Sequence, residues 1–245
     1  MKYIRITFSI ILICVILSCL TANALAANVG FSVEDLTEQE VSTFIKNIAL
    51  SLFHEETEKM PVNCFDVNDN GEIAVGYESF ENKTVCVYSS DGAFQYGYTF
   101  KCEGSFGIEF GTDSLMIYFV RSSVSIAVND AGEIESVVEI NNSTENNTYW
   151  NKSVFSTNRR VGDTVYRLEN DMGFFNAFAT SYSLITATAE NGSKTVVYEA
   201  ESSYFLSTVV IFIGVLALVC LAVVILTKNL LALKRNNRSS KSNFN

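Results

Sequence analysis

Val67-Asn68-Asp69-Asn70-Gly71-Glu72-Ile73 returns almost verbatim as Val128-Asn129-Asp130-Ala131-Gly132-Glu133-Ile134, and its reading decides the fold. Each copy sets short polar residues and a glycine between β-branched flanks. A tight hairpin turn needs positive φ, which glycine adopts without steric cost, so both copies read as β-turns between antiparallel strands. Phe65-Asp66-Val67 leads into the first turn and Ser125-Ile126-Ala127-Val128 into the second. A third case lies between them, where Thr84-Val85-Cys86-Val87-Tyr88 runs into Ser90-Asp91-Gly92 and out through Ala93-Phe94-Gln95-Tyr96. Turn glycines stand at Gly71, Gly92, Gly132, Gly173 and Gly192. Gly111-Thr112-Asp113 fills one gap, and the Asn-rich stretch Asn141 to Asn151 lies near the other. The spacing gives a hairpin about every 20 residues and a four-strand unit about every 40.

In turn and strand texture, residues 62–200 resemble β-propeller repeat proteins of the irregular extracytoplasmic kind, without a WD or Kelch signature. The resemblance implies four-strand blades. Only about three units fit in the region, whereas closed propellers use about 4–8 blades. Two chains completing one ring, a twisted meander and a sandwich are the alternatives. The expected class is therefore mainly β: antiparallel repeated hairpins, as propeller-like blades or a meander, preceded by one amphipathic helix and followed by one transmembrane helix.

That amphipathic helix begins at Thr37-Glu38-Gln39-Glu40, a capping box in which Thr37 and Glu40 satisfy each other's backbone N–H groups. Leu36 and Val41 are placed as the accompanying hydrophobic staple. Val41, Phe44, Ile45, Ile48 and Leu52 recur at steps of three and four, one apolar face. The helix is expected to fade among Glu55, Glu56 and Glu58, with Pro61, the sole proline, closing it.

Two long apolar runs flank this region. Met1-Lys2-Tyr3-Ile4-Arg5 is basic, Ile6 to Leu20 carries no charge, and Ala22 and Ala24 give an A-x-A cleavage pattern. Residues 1–24 therefore read as a signal peptide cut after Ala24, with Ala26 as a second cut. Ile16-Leu17-Ser18-Cys19 is a loose lipobox, whose use would lipidate Cys19. Tyr204 to Thr227 is an uncharged run long enough to cross a bilayer as a helix. Lys228, Lys234, Arg235, Arg238 and Lys241 follow it with no acid, which places residues 228–245 in the cytoplasm and residues 25–203 outside. Residues 25–61 form the helical segment and 62–203 the extracytoplasmic β domain.

Charge is sharply divided. All 27 acids lie between Glu34 and Glu201, with ten bases in the ectodomain, a net of −17. Such a field repels nucleic acid and anionic lipid surfaces, and favours solubility or cationic partners. Cys64, Cys86 and Cys102 are odd in number and lack zinc-type spacing, so they read as one bridge plus a free thiol or as three free thiols.

No catalytic, metal or cofactor constellation is expected. Asp66-x-Asn68-x-Asn70-Gly71 opens like a calcium loop, but Tyr77 stands where the bidentate acid belongs. His54 is the only histidine and has no partner spacing. Sequons begin at Asn82, Asn142, Asn146, Asn151 and Asn191. The most distinctive surface candidate is the segment Asn141 to Arg160, with Tyr149, Trp150, Arg159 and Arg160 as an interaction surface, because aromatics and arginine are enriched in binding hot spots. The functional expectation is a membrane-anchored, non-enzymatic binding, sensory or complex-forming module in the cell membrane. Its partners would be the bilayer, an unidentified protein or extracellular ligand, and a homodimer mate. The alternative is a tethered hydrolase of glycan or peptide.

Overall fold

A computed structural model of the protein describes residues 30–79, 82–171, 176, 181–201, 209–210 and 212–228. The expected signal peptide, the tail beyond Lys228, Gly173, and residues 204–208 and 211 of the expected span lie outside these residues. The chain divides into two compact units, 1–171 with 180–200, and 172–179 with 201–245.

The first unit is built of three antiparallel meander sheets. The first sheet contains β2 (Ser51–Phe53), β3 (Cys64–Val67), β4 (Ile73–Ser79), β5 (Asn82–Tyr88) and β6 (Phe94–Phe100), in the order β2-β6-β5-β4-β3. The second runs β1-β10-β9-β8-β7, from β1 (Val33–Asp35), β7 (Phe106–Phe110), β8 (Leu115–Phe119), β9 (Val124–Val128) and β10 (Ile134–Ile140). The third holds β11 (Asn158–Val161), β12 (Thr164–Glu169), β13 (Leu184–Thr188) and β14 (Lys194–Glu199), in sequence order. Three four-strand meanders match the 40-residue period. The described strands close no ring.

The two near-identical turns fold alike. Asn68 Oδ1 accepts from the Asn70 and Glu72 N–H groups, its Nδ2 donates to Glu72 Oε2, and Gly71 takes φ 80°. Asn129 Oδ1 accepts from Glu133 N at 2.9 Å, its Nδ2 donates to Glu133 Oε2 at 3.0 Å, and Gly132 takes φ 81°. The first turn joins β3 to β4 and the second joins β9 to β10, so they occupy different hairpins of their sheets. What repeats is the turn and not the position in the unit.

The N-terminal segment splints the sheets. Helix α1 (Glu38–Ile48) starts as expected, with Thr37 N donating to Glu40 Oε2 at 2.9 Å and Glu40 N to Thr37 Oγ1 at 3.4 Å. It stops far short of Pro61, at Ala49 with φ 46°. Leu52, expected on the helix face, lies instead in β2, opposite Tyr98 of β6. The backbone hydrogen bonds on offer at the β6 edge explain the change. Lys101 N donates to Ile48 O at 2.7 Å, and Gly97 leaves room for the Phe53 ring, which any Cβ there would strike. β1 caps the outer strand of the second sheet in the same way, opposite Val138–Ile140.

The main core lies between the first two sheets, where Val85, Val87, Tyr98 and Phe100 meet Phe106, Ile108, Ile117, Phe119 and Ile126. α1 closes its open side, with Phe44 edge-on to Phe119 at 5.0 Å. The third sheet meets the first through Tyr198 and Tyr88, whose rings are 5.6 Å apart, and the Tyr198 hydroxyl donates to Met60 O. Cys64, Cys86 and Cys102 are all free thiols, and burial pushes each of them up from its ordinary pKa.

In the second unit, α3 spans 212–228 as an unbroken helix. Its apolar side chains point outward all round, from Ile213 at 56% exposed to Leu226 at 60%. Among the described residues, no helix is long and apolar enough to cross a membrane.

Sheet contact in the main core depends on Gly76, because a Cβ there would lie 2.5 Å from Cys64 Sγ and 2.9 Å from Phe106. Gly76→Ala should destabilise the fold by about 1–3 kcal/mol through overpacking. Denaturant titration of the full chain in detergent, followed by the fluorescence of Trp150, measures this. Adding Cys64→Ala should recover part of the loss, and an unchanged midpoint in Gly76→Ala contradicts the packing.

Candidate functional site

The polar residues of the β domain converge where its sheets meet. Asp66 lies in β3, a strand buried along its whole length, and alternation aims its side chain out of the first sheet. Its Oδ1 accepts from Arg159 Nε of β11 at 2.6 Å, and its Oδ2 accepts from Phe110 N of β7 at 2.7 Å. One carboxylate thus touches all three sheets. The rest of the guanidinium is occupied: Nη1 donates to Ser156 O and Asn158 O, and Nη2 to Val154 O at 3.1 Å. Its carbon sits 5.3 Å from the centre of the Phe65 ring. Both side chains of the pair are nearly buried, at 13% and 12% exposed.

Glu109 stands next to Phe110 and is held separately. It accepts from the Tyr118 hydroxyl at 2.8 Å and from the Tyr149 hydroxyl at 2.9 Å. Burial pushes its carboxyl above the usual value and the charge of Asp66 adds to the rise, while the two phenol donors and Arg159 oppose it. Tyr149 ends helix α2 (Thr144–Tyr149), which passes into a π-helical turn, Trp150–Val154. Asn146 anchors this segment. It is 3% exposed, accepts from Ser32 N, and donates to Ser32 O and Asn141 O.

Of the four residues expected on an interaction surface, three face inward. Tyr149 and Trp150 are half-buried against Phe31, each with its ring centre 4.7 Å away, and Trp150 also meets Tyr118 at 5.6 Å. Arg159 is the clamp on Asp66. Arg160, next in the strand, points to the opposite side and is exposed. The structure brings Tyr149 and Trp150 together and leaves Arg160 apart.

The chemistry open to this cluster is structural. Every oxygen of both carboxylates accepts a hydrogen bond, and neither lines the cleft of about 710 Å³ walled by Phe44, Ile48, Lys101, Cys102, Phe119 and Arg121 with a few neighbours. The calcium-loop pattern comes apart for the same reason. Asp66 is spent on Arg159 and Phe110, while Asn68 is spent on its own turn. Among the described residues, no three His, Cys, Asp or Glu side chains gather as metal ligands. His54 is exposed beyond β2. The sequons at Asn82, Asn142, Asn151 and Asn191 are exposed, whereas that at Asn146 is buried.

Asp66 and Glu109 were legible only as oddities, acids between apolar neighbours in Phe65-Asp66-Val67 and Ile108-Glu109-Phe110. An acid at such a place needs a buried partner. Comparison of the chain with protein-family models, with curated proteins and with solved structures finds no match.

Asp66→Asn should cost about 3–5 kcal/mol, because it strands the Arg159 charge in a nearly buried place. Asp66→Asn combined with Arg159→Met should cost less than the single change, as read by denaturant midpoints. Equal losses would mean that the two residues act independently.

Glu109 carries a pH signature. Its folded pKa is raised, so its contribution to stability is complete below the unfolded value and is lost as pH rises through the folded one. Glu109→Gln should therefore flatten the fall in stability as pH rises above the ordinary carboxylate range. Parallel titrations of both proteins would reveal it, and superimposable pH profiles refute it.

Proposed function

We propose that the chain is a single-pass membrane protein that displays its β domain outside the cytoplasm as a non-enzymatic binding, sensory or complex-forming module. The observation that carries this reading is α3. From Phe212 to Thr227 it has no charged residue, and apolar side chains on every side of it stand about half exposed or more. Water makes such a helix costly, at about 25 cal/mol for each Å² of apolar surface, whereas lipid does not. The charge division supports the orientation: bases without acids follow the helix, and 27 acids precede it.

The β domain supports a binding role over a catalytic one. A hydrolase would gather carboxylates with raised pKa in an open cleft. Here Glu109 is the carboxylate pushed up among the described residues, and it serves two tyrosines. We read the three meander sheets as open, propeller-like blades. β3, β7 and β11, the first meander strand of each, come together at Asp66, as inner strands of blades do.

Protease added to intact cells should digest the β domain and leave an epitope at the C-terminus untouched. The mature chain should begin at Leu25 on N-terminal sequencing. Loss of the C-terminal epitope with survival of the β domain would invert the topology.

A further inference from the structure

The connection 54–63 joins β2 to β3 without a strand or helix of its own. Its first half, His54-Glu55-Glu56-Thr57-Glu58-Lys59, sets one lysine among three acids. The far end is tied down where Val62 and Tyr182 exchange backbone hydrogen bonds at 2.7 and 2.9 Å. Nearer the middle, Thr57 Oγ1 lies 2.7 Å from the Tyr77 hydroxyl, and Met60 O accepts from the Tyr198 hydroxyl at 2.8 Å. Tyr77 belongs to the first sheet and Tyr198 to the third, so the segment runs over the seam between them.

Lys59 sits on the aromatic pair at that seam. Its Nζ lies 5.2 Å from the centre of the Tyr88 ring and 5.7 Å from that of Tyr198. The two rings are 5.6 Å apart and inclined at 70°, so they form two walls of a corner. Glu56 Oε1 stands 3.4 Å from the same nitrogen and supplies the opposite charge. Two electron-rich ring faces and a carboxylate around one cation make an ammonium site. Both tyrosines are 2% exposed, whereas the side chains of Lys59 and Glu56 are 33% and 40% exposed. The core fixes the walls, and solvent reaches the occupant.

We propose that the corner between the Tyr88 and Tyr198 rings binds small quaternary ammonium cations of the choline kind, and that Lys59 fills it in their absence. The exchange follows from hydration. A primary ammonium is strongly hydrated and gives up water to stay beside the rings, whereas a quaternary one holds water weakly and loses little. Lys59 leaves by turning its flexible stem, with the ties at Thr57, Met60 and Val62 intact. The acidic domain, of net −17, concentrates cations around the site and repels anions. The inference names a ligand, which the binding role proposed above does not, and it stands without the membrane anchorage.

The test is calorimetric titration of the full chain, in a maltoside detergent, with choline chloride at constant ionic strength. Lys59→Ala removes the competing occupant of both rings and should tighten choline by about tenfold. Lys101→Ala, which removes a base elsewhere on the domain, should leave the affinity unchanged. Glu56→Gln should weaken choline by about threefold. The neutral isostere of choline, in which carbon replaces the quaternary nitrogen, should not bind. In the native chain, acetylation of Lys59 by N-hydroxysuccinimidyl acetate, read by mass spectrometry, should speed up when choline is present. The exposed Lys152 is the internal reference and should not change. No choline binding by Lys59→Ala, or equal affinity in that variant and the native chain, overturns the proposal. So does equal binding of the isostere, which makes the contact merely apolar. A Lys59 that acetylates no faster with choline bound puts the cation elsewhere and overturns it as well.

Discussion

The carboxylate of Asp66 is the one group that touches all three sheets, which also meet through apolar packing and further hydrogen bonds such as that from the Tyr98 hydroxyl to Asn129 O. It reaches the second sheet through the Phe110 amide and the third through Arg159. A buried ion pair rarely adds stability over well-packed apolar residues, because both charges lose their hydration. Its value is selectivity. Three meanders with similar strands could stack in several registers, but an unpaired Asp66 or Arg159 would be costly in every arrangement except this one. We take the pair to specify how the sheets meet, while Phe100, Phe106, Ile117 and their neighbours supply the free energy of burial.

The rest of the domain follows from the edges that three separate sheets leave open. Unpaired strand edges invite aggregation, and this chain covers two of them with short strands from its N-terminal segment, β1 on β10 and β2 on β6. α1 sits between these strands in sequence and seals the gap between the same two sheets. The third sheet is managed differently. Among the described residues nothing pairs with the outer edge of β14, but Val197 is an extra residue in its register and Lys194 is charged, two devices that discourage pairing.

Local features were legible in the sequence, and long-range ones were not. The turns at Asn68 and Asn129 and the capping box at Thr37 depend on atoms within five residues, so residue type alone specified them. The three-unit count followed from turn spacing. The length of α1 did not, because helical periodicity through Leu52 competes with a sheet edge some 45 residues away that only the fold brings near. Tyr149 and Trp150 look like a binding surface in isolation. Phe31, more than 100 residues earlier, packs against both and leaves them half-buried. Arg159 and Arg160 are indistinguishable by type, and strand alternation sends one to Asp66 and the other to solvent.

The functional reading joins an uncharged apolar helix, proposed to lie in lipid, to an acidic β domain whose polar cluster is built for rigidity. Rigidity is the part that can be measured directly. Native-state hydrogen exchange on the full chain should show β3, β7 and β11 opening with one shared free energy, because Asp66 ties their sheets into a single cooperative unit. If β11–β14 open at a much lower free energy than β3 and β7, the carboxylate does not hold the sheets together, and the account fails at its centre.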